Sequence, residues 1–365
     1  MSTAEDYLLE SWIPTMFRAG CIAPASVVVS PSERKRMKPC MRLASIAQLA
    51  ATFVVMVAPF ASVGAADEVN VARFPEWATP NQVAKVEKHY DDAMGVPVKW
   101  TSFWSGMAMT EAMVAGEIDI AYSQGLAPFA SAVNADAPIK MVAIAVAYEA
   151  ADDCIVRDDA GIDKNNVQNL EGQQVALPVG SVADYRFRMT MQALEVDVDK
   201  VRIHDQVPPV AADSLANGEV VMACGYGANS LARMNQAGVP LLSVAAKRAA
   251  GIANFDVISV TEDFLQAHPE RVRKFIDVTA AANEAFVGEP MQIDVIADDA
   301  GLDSETALRQ LEGFDFPSIE EQKEEYFGGP AVALKWLTYM GEFFATDEQP
   351  ALDDYSGTID SQFLY

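Results

Sequence analysis

Residues 101–129, TSFWSGMAMTEAMVAGEIDIAYSQGLAPF, decide the fold. The opening residues close a strand-like run, VPVKWTSF (96–103), and a Ser105-Gly106 corner follows. GMAMTEAMVAGE (106–117) then carries apolar residues at helical spacing, IDIAYS (118–123) is a short apolar run, and a second corner, Ser123-Gln124-Gly125, leads into another helical stretch. Strand, helix and strand joined by short turns make a βαβ unit, whose crossover helix lets the two strands run parallel. Neither serine has a histidine nearby in sequence, so neither has a local base to make it a nucleophile. The corners suit a different task. Unpaired N–H groups at a helix start, the helix dipole and a serine hydroxyl together make a site for a small oxyanion without needing net positive charge.

The same alternation extends outward. EVNVARF (68–74) reads as a strand and PNQVAKVEKHYDDAMG (80–95) as one helix ending at Gly95. After IKMVAIAVAYEA (139–150) the pattern restarts, with strands at CIVRD, QQVALPV, VRIHDQ, VVMACGY and PLLSVA and helices near 183–194, 211–218 and 228–237. A third corner, Gly180-Ser181 with Val182, opens a helix in this second unit. From FDVISVT (255–261) onward the chain is mostly helical. The α/β class follows, with mainly parallel sheets covered by helices on both faces and two lobes that the chain crosses between near 145–155 and 248–258. Ligands in open α/β sheets sit beyond the carboxyl ends of the strands, so the interlobe cleft is the expected site.

The chain has 365 residues and a formal charge of −26, a balance that argues against nucleic acid as a partner. Near the amino terminus, Arg34, Lys35, Arg36, Lys38 and Arg42 precede an apolar run over 46–60, and small residues follow at 63–66. That order reads as a secretory signal peptide, too short for a comfortable membrane span, with Met37 or Met41 as alternative starts and a retained anchor as the other reading. Residues 1–66 are therefore read as address, and the mature protein as periplasmic. Export would leave only Cys154 and Cys224, candidates for one disulfide or for two buried thiols. Motifs of the HExxH, CxxC, GxSxG and phosphate-loop types do not occur, so no metal and no cofactor are expected.

Several blocks carry a family resemblance: VNVARFPEWATPN, FWSG with AMVAGEIDIAYSQGLAPFASAV, NLEGQQVALPVGSVADY, LANGEVVMACGYG, EDFLQAHPERVRKFI and DYSGTIDSQF. In order and spacing the chain resembles the periplasmic binding proteins of taurine and aliphatic sulfonate ABC transporters, within the nitrate, sulfonate and bicarbonate group. The resemblance implies a two-lobed type II periplasmic binding protein fold with two hinge crossovers. Lobe 1 would comprise 67–150 and 251–365, the latter with the C-terminal helices, and lobe 2 would comprise 151–250. It implies a small sulfonate or amino-sulfonate ligand, an ABC permease partner and a monomeric carrier. It places the pocket on Glu76, Trp77, Ser105, Gly106, Ser123, Gln124, Ser181 and Val182, with Tyr226 where taurine binders carry a tryptophan and Asp256 where they carry an acid.

A zwitterion needs a partner for its ammonium as well as a cradle for its anion, and Asp256 or Glu76 could supply it. Trp77 and Tyr226 could cover the ethylene carbons. Arg73 could reach the cleft, whereas Arg186 and Arg188 occupy helix positions where outward, solvated side chains are expected. Other ligands of the group, alkanesulfonates, nitrate and the thiamine pyrimidine, stay open, as do a sensor role and an enzyme built on His204 with Cys224 or Asp205.

Overall fold

The apolar runs assemble into two mixed sheets. The computed structural model describes residues 68–148, 151–243, 254–288 and 292–365; the expected signal segment lies outside them. The first sheet is built from β1 (Val69–Arg73), β2 (Val98–Ser102), β3 (Ile120–Gly125), β4 (Ile139–Tyr148), β10 (Asn254–Thr261) and β11 (Phe314–Asp315), in the order β11-β4-β10-β3-β1-β2. The second is built from β5 (Asp152–Arg157), β6 (Gln174–Leu177), β7 (Arg202–Asp205), β8 (Met222–Tyr226) and β9 (Gly238–Pro240), in the order β7-β6-β8-β5-β9. The chain passes from one sheet to the other between β4 and β5 and returns between β9 and β10.

Helices α1 (Asn81–Val86), α2 (His89–Met94), α3 (Gly106–Val114) and α4 (Leu126–Asn134) join the strands of the first sheet, and α5 (Val182–Ala193), α6 (Pro208–Ala216) and α7 (Ala228–Ala237) those of the second. After β10 come α8 (Glu262–Ala267), α9 (Pro269–Gly288), α10 (Ile293–Ala300), α11 (Ser304–Glu312) and α12 (Val332–Phe343). None of the described helices is long and apolar enough to cross a membrane.

Parallel pairing of β1 with β2 and with β3 reproduces the βαβ unit read from residues 101–129. The sheets are not mainly parallel, however. Strand β10 runs antiparallel between β3 and β4, and β5 runs antiparallel to β8 and β9. Each of these two is the first strand after a crossing; the short β11 also pairs antiparallel with β4. A chain arriving from the other sheet enters at the cleft end, where the strands already in place finish, so it must run against them.

The single helix expected over 80–95 is broken in two. Lys88 takes a left-handed φ of 63° between α1 and α2. With this turn Tyr90 is fully buried against Phe275 and Trp100, hydrogen-bonded with Thr279 Oγ1 at 2.7 Å. The strand expected at PLLSVA begins earlier, at Gly238, and ends at Pro240.

Cys154 and Cys224 stand opposite each other in the β5–β8 ladder and are joined by a disulfide. That geometry removes Cys224 as a free thiol for the His204–Cys224 enzyme reading. Arg186 corrects the outward expectation. It is 1 % exposed in α5 and holds Asp152 through two N–H groups, Nε at 2.7 Å from Oδ2 and Nη2 to Oδ1. Burying a charge is costly unless it is paired, and Asp152 at the start of β5 supplies the pair.

Candidate functional site

The carboxyl ends of β1, β2, β3 and β4 in the first sheet and of β6 and β8 in the second converge on one cleft of about 280 Å³. Its core admits only about one water-sized sphere. Three helix amino termini reach it. Gly106 is the first residue of α3, Gly125 caps α4, and Ser181 and Val182 begin α5; all four line the cleft. Local sequence explains each terminus. Ser105 Oγ accepts from Ala108 N at 3.1 Å, and Ser181 Oγ accepts from Ala183 N at 3.1 Å while donating to the Pro178 carbonyl at 2.6 Å. The hydroxyls are thus used as caps, and the amides they leave free at the first turn are the donors an anion would meet.

On the same wall stands Asp256, near the start of β10, paired in the ladder with Gly125 and only 2 % exposed. Its Oδ2 accepts from Ser123 Oγ at 2.7 Å and its Oδ1 from Tyr148 Oη at 2.9 Å. Burial pushes the carboxyl up to about 7; the Ser123 and Tyr148 hydrogen bonds oppose that shift and the charge of Asp152 adds to it. Ser123 adopts a left-handed φ of 62°, and its hydroxyl also accepts from Trp77 Nε1 at 2.9 Å. One serine thereby fixes both the carboxylate and the indole. Phe74, Trp77, Tyr148, Pro128 and Tyr226 complete an apolar wall, with Phe74 edge-on to Tyr226 at 5.5 Å and Trp77 edge-on to Tyr148 at 5.3 Å between ring centroids.

Of the residues singled out from sequence, Trp77, Gly106, Ser181, Val182, Tyr226 and Asp256 lie on the cleft wall, and Glu76, Ser105, Ser123 and Gln124 do not. Glu76 is turned away by its own φ of 54°, and its Oε2 accepts from both the backbone N and the hydroxyl of Ser230, each at 3.0 Å. It caps α7 rather than facing the cleft. Gly227 makes this contact possible, since at φ 85° a Cβ there would stand 2.8 Å from Glu76 Oε2. Gln124 is held between Thr110 Oγ1, to which it donates at 2.7 Å, and the Ser259 hydroxyl, tying α3 to β10. The extra hydroxyl of Tyr226 donates to the Trp104 carbonyl across the cleft at 2.8 Å. Arg73 turns to Asp299, not to the cleft, and Arg188 to Asp184.

Sequence reasoning missed Phe74, Gly125, Pro128 and Tyr148 as wall residues. Gly125 and Pro128 belong to the corner already quoted and could have been taken with it. Tyr148 closes a long apolar strand, and nothing in its neighbourhood distinguishes it from core.

The model of the NMT1/THI5-like family matches residues 79–293, more than half of the chain. The chain belongs to that family. Within reach of it stands the taurine-binding periplasmic protein of Escherichia coli (strain K12), 22% identical over 312 residues that cover 82% of this chain and 94% of that protein. Among solved structures, the alkanesulfonate-binding protein of Xanthomonas axonopodis pv. citri bound to MOPS aligns with a TM-score of 0.61 at 16% identity, over 81% of this chain and 98% of that one. The periplasmic aliphatic sulphonate binding protein of Escherichia coli aligns with a TM-score of 0.60 at 16% identity, over 77% and 87%. At these identities the likenesses establish the fold, which is the periplasmic binding protein fold expected from the sequence.

Proposed function

We propose that this family member is an extracytoplasmic solute-binding protein that captures taurine, or a closely related small amino-sulfonate, in the cleft and hands it to an ABC permease. The observation that carries the reading is the presence of the Asp256 carboxyl and the amino termini of α3, α4 and α5 on the wall of one small cleft. A zwitterion with an anion at one end and an ammonium at the other fits that polarity: helix amides and dipoles take the sulfonate, and the carboxylate takes the ammonium in a charge-assisted hydrogen bond. Trp77, Phe74 and Tyr226 enclose the carbons between them. The names of the relatives, taurine-binding and alkanesulfonate-binding, point to the same chemistry.

In this reading residues 1–66 address the protein to the periplasm, residues 67–150 and 251–365 form one lobe, residues 151–250 form the other, and the carrier works as a monomer. The ligand leaves unchanged. Because the cleft core admits about one water-sized sphere, the lobes part to admit ligand and close over it. Opening breaks the Tyr226–Trp104 and Glu76–Ser230 contacts, and ligand shifts the population back by binding the closed form better.

One observation favours a second reading. A carboxyl held at about 7 is substantially protonated at neutral pH, and a protonated Asp256 would not repel a simple alkanesulfonate. Calorimetric titration of the purified protein with taurine, ethanesulfonate, isethionate, nitrate and β-alanine separates the two. Taurine binding at least roughly tenfold tighter than ethanesulfonate supports the ammonium partner, that factor being about the weight of one charge-assisted hydrogen bond. Preference for ethanesulfonate or nitrate overturns it in favour of a plain anion, and preference for β-alanine overturns the sulfonate cradle.

A further inference from the structure

Behind the aromatic wall lies a second crevice, of about 250 Å³, that shares only Phe74 and Trp77 with the cleft. It is enclosed by β1, α1, β2 and β3, and its polar lining includes Arg73, Lys85, Thr79 and Tyr122. We propose that this crevice binds a single halide-sized anion between the Tyr122 hydroxyl and the Arg73 and Lys85 cations.

Charge is the first argument. Arg73 and Lys85, 18% and 15% exposed in their side chains, share one acid, Asp299. The Asp299 carboxylate also accepts from Gln82 Nε2 at 3.1 Å, so its lone pairs are well used. Two cations against one carboxylate leave a net positive charge in a half-buried crevice, within a chain whose formal charge is −26. Burial lowers the pKa of Lys85, the Arg73 charge lowers it further, and only Asp299 opposes them. A second anion would relieve that repulsion.

Unmatched donors are the second argument. Tyr122 is 2% exposed and its hydroxyl has no hydrogen-bond partner among the described residues. Thr79 Oγ1 lies close by but outside bonding geometry, and gives its own proton to Asn81 Oδ1. Arg73 engages Asp299 through Nη1 alone, and the rest of its guanidinium meets no acceptor among the described residues. A buried hydroxyl left unsatisfied is costly, and here it stands in a crevice whose charge invites an acceptor. Size and surroundings set the ligand class. The crevice has room for about one water-sized sphere, which matches a single monatomic anion. Trp100, Phe74 and Trp77 make much of the wall apolar, which suits a weakly hydrated ion such as chloride or bromide.

The probe is sodium bromide. Crystals soaked in it are expected to show one anomalous peak between Tyr122 Oη, Arg73 and Lys85. In solution, bromide should raise the thermal midpoint of the protein saturably, above any effect of sodium fluoride at equal ionic strength. Tyr122→Phe, which removes only the hydroxyl, should weaken the bromide midpoint roughly tenfold, as expected for one hydrogen bond to a charged group, with circular dichroism and sulfonate affinity unchanged. No peak at the site overturns the proposal. So does a peak at crystal concentration without the solution shift, equal shifts in bromide and fluoride, or a bromide midpoint that Tyr122→Phe leaves in place. None of these outcomes depends on the identity of the cleft ligand.

Discussion

Acidification should separate the two ligand classes, because they need opposite forms of Asp256. A ligand ammonium binds the carboxylate, so for taurine any proton on Asp256 must leave first. Burial holds the free carboxyl at about 7, against an ordinary aspartate value of about 3.9. From about pH 8 to about pH 5 the ionised fraction then falls from roughly nine-tenths to roughly one-hundredth. Taurine affinity should fall roughly 90-fold over that range, about 2.7 kcal/mol, at about 1.36 kcal/mol per pH unit. Ethanesulfonate has no ammonium, and its charge is repelled by the carboxylate, so its affinity should rise toward acid and level off below about pH 6. Calorimetry in pairs of buffers with different ionisation heats reads both the affinity and the proton count; near pH 6 taurine should release about 0.9 proton. Asp256→Asn should flatten both profiles. Taurine affinity that does not change from about pH 5 to 8, or slopes of the same sign for both ligands, would refute the reasoning.

Further expectations follow from particular contacts. A Cβ on Gly125 would stand 2.9 Å from Val182 Cγ1; Gly125→Ala should hold the sheets apart and weaken every sulfonate roughly tenfold or more, with a larger radius of gyration by small-angle scattering in the presence of ligand. Tyr226→Phe removes the bond to the Trp104 carbonyl and should weaken all ligands alike by roughly fivefold, about 1 kcal/mol; selective loss of one ligand in calorimetry contradicts a role in closure. Replacing Cys154 and Cys224 together opens a link between residues 70 apart and should lower stability to guanidinium by about 4 kcal/mol on the chain-entropy model. In the free protein the raised carboxyl of Asp256 favours folding only while protonated, so its contribution is present below the unfolded value of about 3.9 and is lost as pH rises through about 7. Asp256→Asn should therefore raise the thermal midpoint more at about pH 8 than at about pH 4, and an equal effect at both contradicts the shift.

The corners were legible because capping and strand–turn–helix geometry are local. Ser105 and Ser181 begin helices as their sequence context requires, and the loops that follow parallel strands all open at one end of a sheet. What each corner residue does there was not legible. Ser123 reads like its neighbours in sequence, yet its left-handed backbone turns it into the link between Asp256 and Trp77. Glu76 and Asp256 are both candidate acids near the cleft from sequence. One carboxylate caps the first-turn amide of Ser230 in α7, and the other is trapped in the wall. Arg186 was misread because its helix position carries no trace of Asp152, 34 residues away.

By itself the sequence determined the α/β alternation, the helix starts at the strand ends, Cys154 and Cys224 as a candidate pair and the family resemblance, since each rests on spacing along the chain. Only the tertiary structure decided that β10 returns antiparallel, that Cys154 faces Cys224, which acid meets the cleft, and that Tyr148 and Phe74 wall it. These depend on which distant segments pack together, and the desolvation that raises Asp256 to about 7 exists only in the folded chain, where the carboxyl is buried.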